Sequence, residues 1–244
     1  MPDHQESAGQ PDHHPPDHQS HGHDDQCHGH HGHEGWRHQL RYLKHTGELW
    51  KGPINTTLVE MVAPAEGEQV LDVGAGMGPG VLDACARVGA GRVFAVDPSP
   101  LMRGIMRIRR RVRRLPDRMV ILKGKAEELP LEDQSIDAAW SINCVHHWGD
   151  DEQACRELGR VIRPGGRLAL LDEQFSDPTH PRHDAVDHSR HGQPGFFHEI
   201  DTDRLVGLLT EAGFRVDRAG DERLDGVPVK LIWAVRRSEA EGSS

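Results

Sequence analysis

The stretch Val70-Leu71-Asp72-Val73-Gly74-Ala75-Gly76-Met77-Gly78-Pro79-Gly80 constrains the fold of this chain more than any other. An apolar run of strand character leads into glycines at alternate positions, and a segment of helical character follows. Glycines in such a turn let the backbone pass close to a ligand, and the N–H groups of a helix start attract an anion. Twenty-five residues after Asp72, Asp97 ends a second β-rich run, Arg92-Val93-Phe94-Ala95-Val96. An acid there is positioned to accept hydrogen bonds from a ribose diol. A tight turn and a solvated aspartate would explain either feature alone; their combination points to a nucleotide-like ligand.

Further along, short β-rich runs at 69–73, 92–96, 119–122, 136–142, 167–171, 214–216 and 229–235 alternate with helical patterns at 81–88, 100–115, 152–162 and 203–212. That alternation predicts an α/β fold, a Rossmann-like, mostly parallel sheet with helices on both faces. Asp150 with Gln153 has the spacing of a capping box, and Pro164-Gly165-Gly166 is expected to stop one helix and turn the chain into the next strand. Two short helices are expected over 36–64, from Trp36, Leu40 and Leu43 and then from the segment 57–62. Residues 174–200, rich in His, Asp, Pro and Gly, fit no element and follow a strand directly; a loop of that length is a candidate lid.

A dinucleotide fingerprint has the spacing G-x-G-x-x-G, whereas this loop reads G-x-G-x-G-x-G with an acid two residues before its first glycine, which favours a ligand with an amino-acid end. The stretch resembles the first motif of the class I S-adenosylmethionine-dependent methyltransferases, and the similarity extends over roughly residues 66–236. The resemblance implies that Asp72, Gly74, Ala75, Gly76 and Gly78 hold the methionine moiety and that Asp97, with Pro98, binds the ribose hydroxyls. Gly124-Lys125-Ala126-Glu127-Glu128-Leu129-Pro130 is similar to the segment that lies along the adenine in that family. Lys125, an obligate donor, stands where relatives commonly carry an accepting aspartate. Either Glu127 substitutes for it or the adenine is held by backbone and shape around Ala126. Residues 137–148 resemble the strand and loop bordering the methyl group, which brings in Asn143, and residues 163–171 resemble the turn into the fifth strand. A Rossmann-like methyltransferase domain over 65–244, with the lid at 174–200, is the resulting division.

Methyl transfer from a sulfonium requires an acceptor aligned with the C–S bond and, for an acceptor that carries a proton, a base. His146 and His147 are the candidate bases, since imidazole titrates near neutral pH; the competing reading has one capping the next helix and the other packing on Trp148. Asn143 is not followed by the two prolines and aromatic of a nucleobase aminomethylase, and Cys144 lacks the preceding proline of a cytosine-carbon methylase, so Cys144 reads as a packing residue. The expected acceptor is a small organic molecule.

Eight arginines between Arg103 and Arg118 invite an RNA-methyltransferase alternative or contact with an anionic membrane. Leu101, Ile105, Ile108, Val112 and Leu115 recur in the same segment at helical spacing, however, and predict an apolar core face with most of the arginines in solvent; no stacking aromatics are interleaved, and nucleic acid is not the expected partner. In the lid, His180, His183, His188, His191 and His198 lack the spacing of a metal site on a regular element, and the loop reads as substrate-contacting, with Phe196 and Phe197 as apolar walls.

Composition matters most at the start of the chain. Of the formal net charge of −10, residues 1–35 supply −7, from seven acids and no base, together with ten of the nineteen histidines. Without large aliphatic residues such a leader cannot offset the entropy of ordering and is expected to be disordered. His21, His23, Cys27, His28, His30, His31 and His33 have the donor types to bind nickel, zinc or copper, which raises a second alternative, a metal-sequestering protein acting through its leader. The leader has no Lys, no Arg and no apolar core, so it does not read as a secretory signal, and no apolar run is long enough to span a membrane; a cytoplasmic protein with reduced cysteines is expected.

Overall fold

The computed structural model describes residues 53–115, 118–185 and 200–238. The leader with its candidate metal ligands, the expected helix around Trp36 to Leu43, and lid residues 186–199 lie outside the described residues.

In chain order the elements are α1 (Ile54–Val62), β1 (Gln69–Val73), α2 (Pro79–Arg87), β2 (Arg92–Val96), α3 (Pro100–Val112), β3 (Met119–Leu122), β4 (Ile136–Ile142), a 3-10 turn (Val145–His147), α4 (Asp151–Val161), β5 (Ile162–Glu173), α5 (Thr202–Glu211), β6 (Phe214–Leu224) and β7 (Val227–Arg236). A second 3-10 turn, His183–Ala185, interrupts the described part of the 174–200 loop. The seven strands form one sheet in the order β3-β2-β1-β4-β5-β7-β6. β1 to β5 are mutually parallel where they pair, whereas β7 runs antiparallel to both β5 and β6.

Both faces of the central strands are buried, and their side chains divide by parity. Val70, Ala138, Trp140, Ala169 and Leu171 join one core with Leu58, Val59, Val81 and Cys85 from α1 and α2. Leu71, Ala139, Leu168 and Leu170 join a second core with Leu158 and Val161 of α4 and Leu205 and Leu209 of α5. Near-continuous apolar runs are what a doubly covered parallel sheet requires. No helix of the described residues is long and apolar enough to cross a membrane.

Three local expectations are corrected. Helix α4 ends at Val161, before Pro164, and Pro164-Gly165-Gly166 instead bulges β5: the register with β4 jumps from Ile136 opposite Ile162 to Ala138 opposite Arg167. The capping box is half formed. Asp150 accepts from the Gln153 N–H at 3.0 Å, but its own N–H donates to Glu127, and the Gln153 carboxamide donates to the Glu127 carbonyl. Finally, α3 buries Met102, Arg103 and Met106, and leaves Leu101, Ile108 and Val112 of the expected core face exposed.

Candidate active site

Strand order reverses between β1 and β4, and open α/β sheets bind ligands beyond the carboxyl ends of strands at such a switch point. Asp72, Asp97, Asn143 to His147, and Asp172 with Glu173 all lie at those strand ends.

Asp72 sits opposite Trp140 in the β1–β4 register and is buried. Burial pushes its carboxyl up to about 7; the Trp140 indole N–H offsets part of this and the Asp97 charge adds to it. Asp72 forms no ion pair among the described residues, so it is a buried acid that lacks a cation. A Cβ added at Gly80, in the first turn of α2, would come 3.3 Å from the Asp72 Oδ2 and 3.1 Å from the Trp140 Nε1, so the helix start packs directly on this pair.

The loop between them is shaped by close approach. Gly74 has φ +75°, and a Cβ there would lie 2.0 Å from Cys144 Sγ, so only glycine lets the loop after β4 pack on the loop after β1. Burial, with the charges of Asp172, Asp97 and Asp72, raises the Cys144 thiol pKa strongly, which keeps it protonated and agrees with a packing role. Ala75 donates to the Val96 carbonyl at 3.1 Å, and Gly78 provides the N-cap of α2.

Asp97 is tied to the loop it faces. Its Oδ2 accepts from Gly76 N–H and its Oδ1 from Ser99 N–H, each at 2.8 Å. Burial raises its carboxyl pKa, and those two bonds and Arg103 work against the rise. Each oxygen keeps lone-pair capacity for a hydroxyl donor. Arg103 is buried, and its Nη1 lies 2.7 Å from the carbonyls of both Asp97 and Pro98, bracing the turn from behind.

Ala126 is buried, while the Glu127 Oε1 accepts from Gly149 N–H at 2.6 Å and Asp150 N–H at 3.3 Å, which fastens the segment after β3 to the start of α4. Asn143, at φ +52°, exchanges hydrogen bonds with Glu173: its Nδ2 donates to the carboxylate and its Oδ1 accepts the Glu173 N–H, both at 2.7 Å.

His146 is buried and His147 exposed. His146 Nδ1 lies 2.7 Å from Asp172 Oδ2, and Asp172 also accepts the backbone N–H groups of Cys144 and His146 at 3.1 Å. Next along β5, Glu173 accepts from His180 Nε2 at 3.0 Å; His180 Nδ1 in turn accepts the Arg182 N–H, so Nε2 carries the proton. Sequence reasoning missed Asp172, Glu173 and the anchoring role of His180. The available signal was a pair of acids closing the apolar run Leu168 to Leu171, as Asp97 closes the run Val93 to Val96. No cluster of three or more metal-binding side chains forms among the described residues.

A doubly wound sheet with a glycine loop, a buried acid before it and a second acid at the next strand end defines a nucleotide-cofactor enzyme of methyltransferase architecture. Residues 71–170 match the family described as Methyltransferase domain. The chain is 40% identical over 113 residues to an uncharacterised methyltransferase of Mycobacterium tuberculosis, covering 46% of this chain and 43% of that protein. It is 30% identical over 192 residues to an O-methyltransferase of Penicillium expansum, covering 73% and 67%. It is similar in fold to a SAM-dependent methyltransferase from Aquifex aeolicus, with a TM-score of 0.58 and 22% identity over 75% of this chain and 89% of that one. The chain belongs to the class I S-adenosylmethionine-dependent methyltransferases, although its match spans less than half the length of the mycobacterial relative.

Proposed function

We propose that this protein transfers the methyl group of S-adenosylmethionine to a hydroxyl of a small organic acceptor. The observation that carries the cofactor assignment is Asp72, a buried carboxylate at the start of the glycine loop that forms no ion pair among the described residues. The ammonium of an amino-acid ligand supplies the missing charge. Asp97 and Pro98 would take the ribose, Gly74 to Gly78 the methionine chain, and Ala126 with Glu127 the adenine side; Asn143 would border the methyl group while bracing Glu173.

The bound cofactor supplies a methyl carbon already activated by its sulfonium. What the chain must add is an aligned acceptor and a place for its proton. His146 serves as that base. Asp172 accepts from Nδ1, so the ring takes up a proton at Nε2, and the nearby carboxylate stabilises the resulting imidazolium. His147, exposed beside it with ring centroids 4.1 Å apart, is the second candidate. The similarity to an O-methyltransferase supports an oxygen acceptor, for which a base is needed.

Calorimetry with S-adenosylmethionine tests the assignment. Asp97→Ala should weaken binding by more than ~1.4 kcal/mol, a factor of ten, through loss of charge-assisted bonds to the diol. Unchanged affinity in that variant, or preferential binding of a nicotinamide dinucleotide by the parent, would remove it.

A further inference from the structure

Among the described residues the exposed large hydrophobic side chains are Leu101, Ile108 and Val112, at 37%, 66% and 73% exposure. All three belong to α3, and with the half-buried Ile105 their spacing of four, three and four residues sets them on one line of the helix. The helix already has a core face in Met102, Arg103 and Met106, so this line is a second apolar face, directed away from the protein.

Its surroundings are cationic. Arg107 and Arg111 are exposed on the same helix, and Arg113 and Arg114 are exposed just past its end. Arg103, Arg109 and Arg110 donate to backbone carbonyls, but Arg107, Arg111, Arg113, Arg114 and Arg118 enter none of the ion pairs among the described residues. Positions 100–118 hold eight arginines and one aspartate, a formal +7, while the rest of the chain carries −17. The uncompensated positive charge is thus concentrated where the apolar side chains protrude.

We propose that α3 seats this protein peripherally on an anionic phospholipid surface. Leucine, isoleucine and valine on a helix crest enter the boundary between headgroups and acyl chains, and arginines beside them meet the lipid phosphates. A convex ridge needs no shape-matched groove when the partner is a fluid surface. Nucleic acid would use the arginines but gain nothing from Ile108 and Val112, and the helix carries no aromatic on which a base could stack. The acidic remainder of the chain is repelled by the same surface, which orients α3 toward it.

The test is co-sedimentation of the full chain with vesicles of phosphatidylcholine alone or mixed with phosphatidylglycerol. The protein should partition onto the mixed vesicles and not onto the neutral ones. The pair Ile108→Ser with Val112→Ser, and separately the pair Arg107→Gln with Arg111→Gln, should each reduce that partitioning by roughly tenfold or more, with cofactor affinity and melting temperature unchanged because all four side chains are exposed. Raised salt should weaken parental binding, since the arginine part is screened. Equal partitioning onto neutral and anionic vesicles, or variants indistinguishable from the parent, would overturn the proposal. So would a dimer in sedimentation equilibrium that the Ile108/Val112 pair dissolves, or RNA binding lost only with the arginines in a protein that ignores both kinds of vesicle.

Discussion

The Nδ1 of His146 lies 2.7 Å from the Asp172 Oδ2, the same oxygen that accepts the His146 backbone N–H at 3.1 Å. One carboxylate therefore fixes both the placement of the residue and the tautomer of its ring. Asp172→Asn keeps the volume but offers a single accepting oxygen to three N–H groups. Turnover should fall by about 10²–10⁴, the usual contribution of a positioned base. His146→Gln should fall as far and lose the acid limb of the pH–rate profile, and His147→Ala should keep it. An unaltered profile in His146→Gln would leave catalysis to alignment alone.

Asp72 ties cofactor affinity to pH. Burial, with Asp97 adding its charge, holds this carboxyl at about 7, and a ligand ammonium needs the ionised form. Calorimetric affinity for S-adenosylmethionine should fall by up to about tenfold per pH unit below 7, with proton release on binding. Stability has the opposite sign. A carboxyl raised from the ordinary ~3.9 binds a proton in the folded state that the unfolded chain has lost, so its contribution is present at low pH and disappears as pH rises toward 7. Asp72→Asn should therefore raise the ligand-free Tm at pH 8, by about 2–4 °C per kcal/mol gained, and weaken cofactor binding. A lowered Tm at pH 8 would show that the ionised carboxylate is already compensated.

The parts legible in the sequence were those whose physics is local. β1 to β4 were delimited by apolar runs bounded by glycine, proline and acids, and Asp72 and Asp97 by their place at strand ends. β6 was read only to Val216, because beyond it Asp217, Arg218, Asp221, Glu222 and Arg223 make a polar run; the strand continues to Leu224 only because β7 pairs with it along the sheet edge. The face of α3 was misread because helical spacing cannot distinguish two apolar lines, and because Arg103 is buried by carbonyls that the chain brings back to it. Asp172 and His146 are 26 positions apart and meet only when β4 and β5 align Ile142 with Leu171.

Arg103 yields a prediction that no motif would have suggested. Its guanidinium lies 2.7 Å from the carbonyls of Asp97 and Pro98, so it braces the turn that aims the Asp97 carboxylate. Arg103→Met retains the buried stem and removes both bonds. Cofactor affinity should drop by about 1–2 kcal/mol, the worth of one or two charge-assisted bonds, with kcat at saturating cofactor nearly unchanged. Loss of kcat at unchanged affinity would argue against the brace.

Gly74 and Cys144 test how tightly the two loops depend on each other. A methyl group at Gly74 would meet Cys144 Sγ at 2.0 Å and Cβ at 2.7 Å, on a backbone with φ +75°. Gly74→Ala must displace the loop that carries His146, and we expect a loss of roughly 2–4 kcal/mol in denaturant unfolding. Cys144→Ala alone removes only a protonated thiol and should retain turnover. Combined with Gly74→Ala, Cys144→Gly clears both overlapping atoms and should recover the steric part of the loss, leaving about 1–2 kcal/mol for the left-handed backbone. If the double variant is no more stable than Gly74→Ala, the cost lies in the backbone angle, and the close approach of Cys144 is not what demands glycine.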